Sequence, residues 1–157
     1  MPRIIRFICS MAIAGAMSMP VAGINEAMAG QPDWVMVHSD PSHSEFYYDK
    51  SAVTTTPQGL LTVRAKVVYS AEGKADTLQA LKARKYENLA YSEYRYEIMC
   101  GEDRKSRLQK VSHYDGKGVL IAEFNLAGKT EWEEIPISAR LDMVADNECK
   151  EESPPKQ

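Results

Sequence analysis

Cysteine is scarce in this chain: three residues in 157, namely Cys9, Cys100 and Cys149. That excludes the zinc sites built from closely spaced cysteine pairs. Neither sign of charge dominates. The formal net charge is −3 at pH 7, and acids and bases alternate along the chain. A nucleic-acid binder would carry a basic stripe, and none is present; an anionic membrane surface is likewise a poor partner. The chain has no G-x-S-x-G elbow, so that route to a serine nucleophile is missing. Long apolar runs are absent apart from one at the N-terminus.

That run defines the first segment. Arg3 and Arg6 precede an apolar stretch from Phe7 to Gly23, and Ala27-Met28-Ala29 forms an A-x-A site before Gly30. The pattern predicts a secretory signal over residues 1–29, cleaved to leave Gly30 first. An uncleaved anchor is the competing reading, but the run is short for a span and contains Pro20. Cys9 lies near the start of the apolar run rather than at its close, which argues against a lipoprotein. The remaining chain suits one domain over 30–150. Residues 151–157, "EESPPKQ", read as a disordered tail. The predicted localisation is the periplasm or the outer surface of a bacterium, with no integral membrane segment after cleavage.

Export gives the two remaining cysteines a meaning. An even pair in an oxidising compartment predicts a Cys100–Cys149 disulfide. A loop of that length is credited with roughly 4 kcal/mol in chain-entropy models. Neither cysteine has the neighbours a metal site would need. Arg104 and Lys105 follow Cys100 and could activate a thiolate, but the pairing takes precedence.

Periodicity supplies the elements. Trp34 to His38 and Glu45 to Asp49 read as short strands around a polar turn with Pro41. In "LLTVRAKVVYS", Leu61, Val63, Ala65, Val67 and Tyr69 share one face; Thr62, Arg64 and Lys66 share the other. Such alternation predicts a half-buried antiparallel strand. Residues 75–86 lack β-branched runs and place Leu78 and Leu81 on one stripe, which predicts a helix from Ala75 to Tyr86. In "YSEYRYEIMC", Tyr94, Tyr96, Ile98 and Cys100 fall on the inner face. A hairpin follows around Asp115-Gly116. Leu108 and Val111 are out of phase before it, predicting a bulge near Gln109–Lys110. Leu120, Ala122, Phe124 and Leu126 alternate after it. Ser138 is placed to cap a helix reaching Glu148, with Leu141, Val144, Ala145 and Cys149 on one face. The fold class is α+β: about six mostly antiparallel strands, with a C-terminal helix on one face tied by the disulfide.

Candidate chemistry is thin. His38, Asp40 and His43 span a turn, but their spacing fits no established zinc pattern, and exposed turn residues are the plainer reading. Glu131, Glu133 and Glu134 surround Trp132, though sequence spacing does not bring carboxylates together. No residue set calls for a metal or cofactor, and no catalytic residue is assigned. The tyrosines offer more. Most fill a core, but Tyr47 and Tyr48 point to opposite sides, so one faces outward. Tyr91 is out of phase with Tyr94 and Tyr96. Tyr47, Tyr48 and Tyr91 are therefore the candidate ligand-binding residues.

The order of these features resembles the surface-adhesin protein E family of small exported bacterial proteins. The resemblance rests on "FYYD" with the following "KSAV", on the two cysteines, and on the closing "WEEIPISARLDMVADNEC", and it covers the predicted mature chain. It implies a mostly antiparallel sheet with a helix joined to it by a disulfide. It also implies binding rather than catalysis, adhesion to a protein partner, and homodimers. One departure is the 75–86 segment, longer than a simple strand connection. Two other functions fit the residues: a periplasmic binder of a haem-like or apolar small ligand, and a hydrolase using carboxylates.

Overall fold

The computed structural model of the chain describes residues 31–149. The expected signal segment, its cleavage site and the tail lie outside the described residues.

Alternation in the sequence translates directly into the central strand. β4 (Leu61–Tyr69) buries Leu61, Val63, Ala65 and Val67 and leaves Arg64 and Lys66 on the opposite side. Val63 and Ala65 are fully buried. Full burial of a side chain such as Val63 stabilises the fold by about 1.5–3 kcal/mol. β2 (Ser44–Asp49) and β5 (Leu89–Met99) flank β4 in antiparallel register. β1 (Trp34–Asp40), β6 (Lys105–Asp115) and β7 (Leu120–Asn125) extend the sheet to the order β1-β2-β4-β5-β6-β7. Two strands of two residues, β3 (Thr54–Thr55) on β4 and β8 (Glu133–Glu134) on β6, raise the count from the six expected to eight.

Bulges decide which side chains reach which face. Arg95 pairs with Lys110 and Tyr96 with Leu108, so Gln109 is the extra residue. This bulge brings Leu108 and Val111 onto one face. A second bulge was not expected. His113 pairs with Ala122 but Tyr114 with Leu120, leaving Ile121 extra. Leu120 is thereby turned to the face opposite Ala122 and Phe124, breaking the alternation read from sequence.

Both helices lie on the core side of the sheet. α1 (Ala71–Leu81) starts four residues earlier and ends five earlier than its sequence pattern suggested. The Ser70 side chain accepts from the Gly73 N–H, capping the first turn. Lys82 adopts a left-handed conformation and ends the helix. Arg84–Tyr86 then forms a separate 3-10 turn that buries Tyr86 edge-on against His113. α2 (Arg140–Glu148) buries Val144 and Ala145 in the core. Ser138 does not cap it. Ala139 stands at that position, and Asp142 Oδ2 accepts the Ser138 N–H at 2.9 Å. The disulfide joins Cys149, just past α2, to Cys100, just past β5.

Candidate functional site

With the helices on one side, no helix among the described residues covers the other side of the sheet. Polar and aromatic side chains of β1, β2, β4, β5 and β6 occupy it, as expected for an antiparallel sheet with one solvated face. Tyr48 is not among them. It pairs with Val35 and Ala65, residues of the core face, and is 2% exposed. Of the three tyrosines singled out from sequence, Tyr47 and Tyr91 reach the open face and Tyr48 belongs to the core.

Lys66 gathers the aromatic residues of that face. Its ammonium lies 4.1 Å from the Trp34 ring centre, 5.4 Å from Tyr47 and 5.9 Å from Tyr91. Each such contact is worth about 0.5–2 kcal/mol, more as water is removed. Burial pulls the Lys66 ammonium below its ordinary pKa, while nearby Glu93 works in the opposite direction. Tyr91 stacks on Tyr114 with ring centres 4.9 Å apart. Burial raises the Tyr91 pKa, and Glu93 raises it further. The Tyr47 phenol donates to Glu45 Oε2 at 2.6 Å, which raises its pKa.

A polar scaffold fixes these rings. Arg64 donates to both oxygens of Glu93 through Nη2, at 3.0 and 2.8 Å, and through Nε to Oε2. It also reaches Asp49 Oδ2 at 3.4 Å. Asp49 is buried, and its Oδ1 accepts from the backbone of Asp33 and from the backbone and hydroxyl of Ser51. The Arg64 guanidinium lies 5.0 Å from the Trp34 ring centre. Trp34 therefore rests on two cations. Sequence reading missed Trp34, Arg64 and Lys66 as a unit. Period two placed Arg64 and Lys66 outward, but only the strand register sets Trp34 and Tyr47 beside them.

The remaining candidates are dispersed. His43 lies 3.4 Å from Asp40 and 3.7 Å from Asp76, while His38 pairs with Phe46 on β2. Among the described residues no group of three or more potential ligands could hold a metal ion. His113 is buried behind Ser92, whose hydroxyl lies 2.7 Å from Nδ1 and accepts from the Tyr69 phenol. The chemistry that the open face offers is stacking and cation contact.

Comparison with family models, with curated proteins and with solved structures gives no match. Among the described residues no helix is long and apolar enough to cross a membrane.

Proposed function

We propose that this chain is an exported, non-catalytic binding protein that recognises a protein partner at the bacterial cell envelope through its open sheet face. The observation that carries this reading is the Trp34–Tyr47–Tyr91 cluster around Lys66 on a face that neither helix covers. Tryptophan and tyrosine dominate the energetics of protein interfaces because they bury much apolar area while losing little rotamer freedom. Lys66 has aromatic neighbours and a lowered pKa, so a partner carboxylate would meet an ammonium already stripped of part of its water. The resemblance to surface-adhesin E proteins supports the same reading and suggests an extracellular matrix protein as the partner.

The test has two parts. Protease applied to intact cells should remove the chain; full protection would place it inside the periplasm and overturn the adhesion role. Binding to a panel of immobilised matrix glycoproteins should be saturable and should fall by about tenfold or more for Trp34→Ala, the scale of an interface hot spot. Undiminished binding by a folded Trp34→Ala protein would move the recognition surface elsewhere.

A further inference from the structure

We infer that a second site lies on the opposite, core-side face: a cleft that binds a short apolar peptide by its free carboxyl terminus. The cleft has a volume of about 630 Å³ and lies between the start of α2 and the sheet. Small-ligand sites span roughly 300–1,000 Å³. It exists because the apolar stripe of α2 is too short to cover the whole sheet. Val144 and Ala145 are fully buried, but Leu141 at the near end is only partly so.

Phe46, Val67, Tyr94 and Tyr96 line the cleft from the sheet. The Tyr94 and Tyr96 rings stack at 6.0 Å and present an aromatic surface. Tyr94 is held in place by Tyr69, whose hydroxyl lies 3.2 Å from its own. Ile135 and Leu141 supply the opposing apolar wall. Such a lining takes the side chains of an apolar ligand.

The two ends of the cleft differ in charge. Arg140 lies at one end, with its guanidinium 5.7 Å from the Phe46 ring centre. Its bond to Ser44 Oγ, at 3.2 Å, uses one of its five N–H donors. None of the ion pairs among the described residues includes it. Arg140 also stands in the first turn of α2; Asp142 in the same turn answers the helix dipole, which leaves the guanidinium itself for a bound anion to pair. Glu133 and Glu134 line the other end. Glu133 pairs with Ser106, Ser106 with Ile98, and Ile98 with Leu61. Phe46, beneath Arg140, pairs with Val67. At about 3.3 Å per residue, Leu61 and Val67 are roughly 20 Å apart along β4. With long side chains reaching in from both ends, the gap suits an extended peptide of about three or four residues. Its carboxylate would meet the fork of Arg140 and its ammonium Glu133, which shares the core face with Ile98 through Ser106.

Calorimetric titration with the tetrapeptide Ala-Val-Phe-Leu tests this. The free peptide should bind saturably, and its C-terminal amide about tenfold or more weaker, the scale of one charge-assisted hydrogen bond. Arg140→Gln should reduce the free peptide to the level of the amide without weakening the amide. Ala139→Phe, which places a ring at the cleft, should abolish both while the thermal unfolding transition persists. Equal affinity for acid and amide, no saturable binding, or displacement by decanoate at the concentration of free peptide would each overturn the assignment. Trp34→Ala should leave peptide binding unchanged, so failure here and failure of the open-face reading are told apart.

Discussion

The Tyr48 phenol donates to Glu148 Oε1 at 2.6 Å, across 100 positions of sequence. It ties the second strand to the last residue of α2, beside the disulfide. Burial is the main cause that pushes the Tyr48 pKa up to about 12, and the bond to Glu148 adds to it. A raised folded pKa means that the stabilisation is complete below the unfolded value, near 10, and is lost as pH rises through about 12. Tyr48→Phe should cost about 1.5–3 kcal/mol at neutral pH, the net worth of a hydrogen bond to a charged acceptor. It should also flatten the alkaline loss. Denaturant titrations at about pH 7 and about pH 11 measure both; an unchanged midpoint and slope would count against the bond.

The disulfide predicts a larger effect. Cys100→Ser with Cys149→Ser should destabilise by about 2–5 kcal/mol, the usual loss for a native bridge. Mass spectrometry of the non-reduced protein should show the two peptides linked. Two free thiols in exported protein would refute the pairing.

Gly73 provides a steric test. A Cβ there would fall on the His43 carbonyl in the turn between β1 and β2. That turn is also joined to α1 by the Ser70 N–H to His43 O bond and the Ser70 hydroxyl to Ser42 O bond. Gly73→Ala should therefore destabilise by about 1–3 kcal/mol, the cost of overpacking, although alanine favours helices. A more stable variant would show that α1 can shift freely.

His113 predicts acid sensitivity. Burial lowers its pKa, with Lys85 adding to the effect. A depressed folded pKa favours the neutral ring, so this contribution is present above the unfolded value, near 6.5, and is lost as pH falls below it. The denaturation midpoint should drop between about pH 7.5 and about pH 5. His113→Asn should show less of that drop. Parallel curves for the two proteins would assign the acid loss to other groups.

What could be read from sequence follows from where the information sits. β4 was legible because period two needs only its own residues. The 75–86 helix was displaced because it was placed from the Leu78 and Leu81 stripe alone, whereas the Ser70 cap on the Gly73 N–H sets the first turn earlier. Tyr86 resembled the end of a helix, yet it is an anchor whose partner, His113, lies in another strand. The orientation of Tyr91 was legible from phase alone. Its company was not: Trp34, Lys66 and Tyr47 meet it only after four strands are registered. Arg140 left a local trace, a cation in the first turn of a helix, where Asp142 answers the dipole.

α2 is held by different means along its length: Arg104 donates to Asp142 near its start, and the covalent link stands just past its end. Its far end carries Cys149 and the Glu148–Tyr48 bond, while the segment before it includes Ile137, 92% exposed, and Ser138 in the left-handed region. Changes near residues 133–139 would alter the cleft wall without reaching the anchors. Durability and ligand choice thus belong to different stretches of chain, one short helix and the segment that leads into it, and descendants of this chain are free to change the second while inheriting the first.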